Sequence, residues 1–145
     1  MTLRDLVEFM RQQPWAVQAT VSDSQSPQAA VIGVAITDRG ELFFDTLSGS
    51  RKCCNLRERP EIAVVIGWDD ARTVQYEGVA DEPTGEELED LLALYFERFP
   101  DGRARQSWPD IAYFRVRPRW MRFSDFRGPE AVDIEFDEAD LVAGD

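Results

Sequence analysis

Apolar positions recur every three to four residues at the start of the chain, where Leu3, Leu6, Val7 and Met10 follow Thr2. This spacing predicts a short amphipathic helix, with Thr2 and Asp5 placed as a capping box and Pro14 as its stop. The period then shortens to two. Between Trp15 and Val21 apolar residues alternate with Gln18 and Thr20, the signature of a strand, and Ser22 to Pro27 is a polar turn. Gln28 to Ile36 predicts a second strand, rich enough in Val and Ile to be buried on both faces. Asp38-Arg39-Gly40 is a hairpin turn, after which Glu41 to Asp45 pairs back. A two-turn helix is expected from Arg51 to Arg59, where Pro60 stops it. Ile62 to Trp68 reads as a central strand, and Asp69-Asp70-Ala71 turns the chain into Arg72 to Ala80, with Val74, Tyr76 and Gly78 on one face.

The clearest helix follows. Thr84 and Glu87 are spaced as a second capping box, and Leu88, Leu91, Leu92, Tyr95, Phe96 and Phe99 form one apolar stripe. That stripe is packing surface. Pro100-Asp101-Gly102 ends the helix, an Arg-rich loop carries Ser107 and Trp108, and two further strands, Ile111 to Arg117 and Arg119 to Phe126, flank Pro118. Strands joined mostly by short turns argue against a doubly wound parallel sheet, which needs a helix after nearly every strand. The fold class is therefore α+β, mainly β: an antiparallel six- to seven-stranded split β-barrel with flanking helices.

Composition narrows the function classes. The chain has 145 residues, 43% of them hydrophobic, which suits one domain with a full core. Its 16 basic and 28 acidic side chains give a net charge of −12, so neither nucleic acid nor an anionic membrane is expected as partner. From Glu130 to Asp145 every charged side chain is acidic. Residues 1–128 are read as the barrel domain and 129–145 as an acidic, solvated C-terminal tail that Ile134 and Phe136 anchor in part. The start of the chain lacks an export pattern, and no apolar run approaches the roughly 18 residues that span a bilayer, so the expected location is cytoplasmic. There is no histidine, which removes a Ser-His-Asp triad, a Cys-His pair, imidazole-bound zinc and a proximal-histidine haem. Cys53 and Cys54 are adjacent, which fits neither an ordinary disulfide nor a spaced zinc site; one buried and one exposed is the simplest arrangement. No metal site is expected.

One junction stands out on this acidic background. Thr46-Leu47-Ser48-Gly49-Ser50-Arg51-Lys52 holds the only lysine of the chain, directly after an apolar strand and at the start of a helix. Ser50 is placed to cap that helix, its first amides point outward with the positive end of the helix dipole, and Arg51 and Lys52 add a fork and a point charge. Such a junction is a phosphate cradle, or else a capped helix start with two solvated cations.

The surroundings of the cradle resemble the pyridoxamine 5'-phosphate oxidase-like family of FMN-binding split barrels. The resemblance runs from about Trp15 to Asp125. It rests on Gly40-Glu41-Leu42-Phe43-Phe44-Asp45-Thr46 followed by Ser50-Arg51-Lys52, on Asn55 to Val65 with its Arg-Pro-Glu turn, and on Arg72-Thr73-Val74-Gln75-Tyr76-Glu77-Gly78-Val79-Ala80. It implies that Ser50, Arg51 and Lys52, with Thr46 beside them, hold the phosphate of FMN, and that Thr73 or Gln75 faces the flavin. It also implies a homodimer with the flavin at the interface. Trp108 and Trp120 read as packing residues first and as ring-side aromatics from the partner second. The departures are equally specific: Gln28 to Ile36 carries none of the flavin-contacting cations of the vitamin-forming oxidases, and their C-terminal arginine and histidine have no counterpart here.

The resemblance therefore implies an FMN-binding flavoprotein, an oxidoreductase working on a small-molecule electron donor or acceptor, but not a pyridoxine phosphate oxidase. Three alternatives stay open: a non-catalytic flavin carrier or sensor, a barrel using a deazaflavin or haem, and an interaction protein with a vestigial site. No general acid or base is nominated, since Asp45, Asp69, Asp70 and Asp125 lie at strand ends where exposed carboxylates are ordinary.

Overall fold

The computed structural model describes residues 1–143; Gly144 and Asp145, the last acid of the tail, lie outside the described residues. Helix α1 (Leu3–Arg11) opens the chain, with Thr2 accepting from the Asp5 amide and Asp5 accepting from the Thr2 amide as the capping box requires. Strands β1 (Ala16–Val21), β2 (Pro27–Ile32), β3 (Ala35–Ile36) and β4 (Leu42–Leu47) lead to helix α2 (Arg51–Glu58). Then come β5 (Glu61–Ile66), β6 (Arg72–Asp81), helix α3 (Gly85–Arg98), the single turn α4 (Gly102–Arg105), β7 (Ile111–Asp125), β8 (Val132–Phe136) and α5 (Glu138–Ala143).

The strands form one antiparallel sheet in the order β2-β1-β5-β6-β7-β4-β3, with β8 also on β7. It curls into a split barrel with flanking helices, as the pattern predicts. Leu6 and Met10 of α1 and Leu56 of α2 fill its interior together with Leu42, Phe44, Ile66, Val74, Tyr76, Phe114, Val116 and Met121. Phe43, pointing the other way from β4, packs with Leu91, Leu92, Tyr95 and Phe96 of α3 in a second core. The stripe on α3 is thus packing surface, with Leu88 and Phe99 at its margin.

Four expectations change. The strand expected over 28–36 breaks at Gly33, where an added Cβ would lie 2.8 Å from the Phe99 ring; the chain bends to let α3 approach. Its first half, β2, pairs only with β1 and is exposed rather than buried on both faces, with Val31 61% exposed. Second, Pro118 does not separate two strands. A register shift between Glu77 and Gly78 places Gly78 opposite Pro118, and β7 runs through as a single strand.

Third, the acidic tail is not simply solvated. Val132–Phe136 pairs with Met121 to Asp125, Phe136 and Leu141 are buried, and Arg122 and Arg119 meet Glu135 and Glu138. An eighth strand joins the expected six to seven. Fourth, Thr84 makes no side-chain cap bond, and Gly85, the first residue of α3, sits at φ +63°, while the Glu87 carboxylate lies 3.5 Å from Arg115. No helix among the described residues is long and apolar enough to cross a membrane.

If Phe136 holds the last strand down, Phe136→Ala should lower stability by about 3–5 kcal/mol, the usual cost of deleting a buried phenyl group. Urea unfolding measures this, and a loss below about 1 kcal/mol would return the segment to the status of a loose tail.

Candidate functional site

The junction between β4 and α2 is built by short-range bonds. Thr46, the last buried residue of β4, hydrogen-bonds Ser50 through their hydroxyl groups at 2.8 Å, and the Ser50 hydroxyl accepts from the Cys53 amide at 3.2 Å. Ser50 is therefore the N-cap that its position predicts. The strand end and the helix start are fixed to one another, and Arg51 and Lys52 become the first two helical residues.

Among the described residues neither cation has a carboxylate within ion-pair distance, although most arginines do: Arg57 meets Glu82, Arg59 Asp23, Arg105 Asp45, Arg115 Asp81 and Arg127 Asp125. No acidic residue occupies the first turn of α2. The acid nearest in sequence, Asp45, points to the other side of β4 and accepts from Arg105 at 2.8 Å. Two cations at the positive end of a helix dipole are unfavourably placed unless an anion joins them.

Arg51 and Lys52 line a cavity of about 120 Å³ whose other walls are Gln18 and Thr20 of β1 and Gln28, Ala29 and Ala30 of β2. No carboxylate lines it. The register sets Gln18 across from Ala30 and Thr20 across from Gln28, so that these four residues share the inner face. Asn55, one turn into α2, donates at 3.0 Å to both the Thr20 hydroxyl and the Gln28 side-chain oxygen. Gln18 is 2% exposed, yet its Oε1 has no hydrogen-bond partner. A buried acceptor without a donor is costly unless a ligand or water supplies one.

Of the residues expected at the site, Thr46, Ser50, Arg51 and Lys52 converge. Thr73 and Gln75 do not join them. They lie on β6 and face away from Val74 and Tyr76, on the outer surface of the sheet, where Gln75 stands between Val65 and Arg122. Trp120 lies on that same outer surface opposite Glu77, with Arg122 over its ring, and Trp108 is half exposed in the turn before β7. Gln18, Thr20, Gln28 and Asn55 were not singled out from the sequence. The alternation around Gln18 and Thr20 was legible, but not its sense: here the polar positions face inward and Val17, Ala19 and Val21 face outward.

The cysteines divide as expected. Cys53 is fully buried in the main core and Cys54 is exposed. Burial pushes the Cys53 thiol above its ordinary pKa, so the helix start does not activate it. Among the described residues no cluster of His, Cys, Asp and Glu is suited to a metal ion.

The family model described as pyridoxamine 5'-phosphate oxidase matches residues 3–125. The chain belongs to this family. No curated protein matches the sequence. Among solved structures, a heme binding protein from Mycobacterium smegmatis aligns with a TM-score of 0.85 at 17% identity, over 97% of this chain and 60% of that one. The present chain thus spans about three-fifths of that neighbour. A pyridoxamine 5'-phosphate oxidase-related, FMN binding protein from Nostoc punctiforme aligns with a TM-score of 0.67 at 14% identity, over 93% and 84% of the two chains. A putative pyridoxamine 5'-phosphate oxidase from Listeria innocua gives 0.70 at 17%, over 83% and 96%. At such identities these neighbours establish the fold that the family members share.

Two measurements probe the junction. Ser50→Ala should cost about 1 kcal/mol of stability through loss of the cap, seen as a lower thermal midpoint. Iodoacetamide should modify one thiol, Cys54, in the folded protein and two after denaturation; rapid modification of both in the folded state would show that Cys53 is not sealed.

Proposed function

We propose that the chain binds FMN by its phosphate and acts as an FMN-dependent oxidoreductase toward a small-molecule electron donor or acceptor, as a homodimer with the flavin at the subunit interface. The observation that carries this reading is the pair Arg51 and Lys52, unpaired in a chain of net charge −12, at the capped start of α2 and over a cavity free of carboxylates. That donor set fits a phosphate monoester. Arg51 supplies a planar fork, Lys52 a compact charge, and the first free amides of α2 the remaining donors, while Thr46 orients Ser50. Bound FMN would supply the hydride and electron transfer.

Family membership does not bring the vitamin-forming reaction with it. The strand that would carry the flavin-contacting cations, β2, presents Gln28 and Ala30 to the cavity. The outer surface of β2, β1 and β5 offers Ala29, Val31, Ala63 and Val65, all exposed, with Val31 at 61% and Val65 at 40%. This apolar patch fits burial against a second copy, and Thr73 and Gln75 beside it would reach a flavin only from such a shared surface. Haem is the ligand of one solved neighbour. Here it would lack histidine, and Cys53 is enclosed in the core.

One observation supports a second reading. Apart from the two clamp cations no titratable side chain lines the cavity, and the strand-end carboxylates Asp45, Asp70 and Asp125 are tied to Arg105, Arg72 and Arg127. A flavin carrier or sensor without turnover is therefore the alternative, and a deazaflavin phosphate would suit the same cradle.

FMN should bind much more tightly than riboflavin, and Arg51→Ala or Lys52→Ala should each weaken FMN by roughly 1.5–3 kcal/mol, about ten- to a hundred-fold in Kd. Fluorescence titration decides it, and equal affinities for the two flavins would remove the clamp from the reading. Steady-state oxidation of NADH or NADPH by the loaded protein separates enzyme from carrier.

A further inference from the structure

The outer face of the sheet holds a second cavity, of opposite character to the first. It measures about 400 Å³ and is floored by Ala19, Val21, Pro27, Ile62 and Ala63, where β1, β2 and β5 run side by side. Three charged residues form its rim. Glu61 of β5 and Glu77 of β6 both project outward and are exposed. Glu77 stands across from Ala63, two positions along β5 from Glu61, so the two carboxylates are diagonal neighbours on one face. Among the described residues neither meets a cation within ion-pair distance, although the acids around them do: Asp81 meets Arg115, Glu135 Arg122 and Glu138 Arg119. The third rim residue is Arg119 itself. The register shift at Glu77 and Gly78 leaves it without a partner on β6, and it reaches the cavity with the Glu138 carboxylate 3.7 Å away.

The cavity therefore offers an apolar floor under two unmatched negative charges, beside one cation that already has an acid. An anion is repelled there, and a purely apolar surface pressed onto the floor would take water from Glu61 and Glu77 without replacing it. A molecule that matches both features carries an apolar body and a protonated amine. We propose that this cavity binds a small organic cation, its hydrocarbon part on the floor and its ammonium group held by Glu61 and Glu77. The site needs neither the phosphate clamp nor a flavin. The apolar strip at Val31 and Val65 lies toward the other end of β5 from Glu61, so burial of that strip against a second copy does not require burial of the rim acids.

Calorimetric titration of the full chain with phenethylamine and with phenethyl alcohol, which share the ring and the two-carbon arm, tests this. The wild type should prefer the amine by roughly three- to ten-fold, the range of a partly exposed charge-assisted contact. Ethylamine, with the same ammonium and no ring, should bind far more weakly than phenethylamine. Glu61→Gln and Glu77→Gln should each reduce the preference and the double variant should erase it, with the affinity for phenethyl alcohol unchanged, which also shows that the variant is folded. Glu89→Gln, an exposed acid on α3 away from the cavity, should leave the preference intact. Equal wild-type affinities for amine and alcohol, an unaltered preference in the double variant, an equal loss in Glu89→Gln, or no saturable binding of either probe at millimolar concentration would each overturn the assignment; a second copy that sealed the cavity would give the last of these. The outcomes separate from those for the flavin. Selective binding of phenethylamine without FMN binding sinks the flavin reading alone, and FMN binding that depends on Arg51 and Lys52, together with no preference for the amine, sinks the organic-cation site alone.

Discussion

The structure hangs on β7. This strand of 15 residues pairs with β6 from Arg115 to Asp125, with β4 from Ile111 to Val116 and with β8 from Met121 to Asp125, so it is where the two halves of the split barrel are joined. A strand that long bends only if its ladder is interrupted, and the interruption is the register shift at Glu77 and Gly78 opposite Pro118. Pro118 has no amide hydrogen to give the ladder, and Gly78 has no Cβ to strike the Arg117 carbonyl, which would lie 2.5 Å from one. Helix α2 packs against both β4, which carries Thr46, and β1, which carries Gln18.

Charge is distributed with similar economy. Helices α1, α2 and α4 and strands β6 and β7 each carry an arginine held by a carboxylate, and the C-terminal acids serve the same purpose for Arg119 and Arg122. Most of these pairs are exposed and individually weak. Among the described residues Arg51 and Lys52 belong to the few cations without a carboxylate partner, and a local bond pattern keeps the acids away from them. At the start of α2 that pattern is the Thr46-Ser50 hydroxyl pair and the turning of Asp45 to Arg105.

What was legible in the sequence was what is local. The Ser50 cap spans three residues, and the stripe on α3 is a period within one helix; both can be read without knowing the rest of the fold. The features that were missed depend on partners far along the chain. Whether Gln18 faces inward is decided by β5 and α2, and the exposure of β2 by the lack of a second neighbour. The break at Gly33 is decided by Phe99. Propensity and periodicity do not encode such contacts, and at Pro118 a reliable local rule was overridden by the register shift that leaves Arg119 of β7 without a partner on β6.

The unpaired cations of α2 have a thermodynamic side. Arg51 and Lys52 repel each other and oppose the helix dipole, so the unliganded protein holds α2 in a less favourable state than sequence changes there would allow. Any anion that occupies the cavity relieves this, and by mass action the free energy of unfolding grows with the logarithm of its concentration once that exceeds the dissociation constant. On the proposed phosphate reading, the resistance of this protein to unfolding would be partly a property of the solution around it, and a preparation rich in phosphate would be more robust than one free of it.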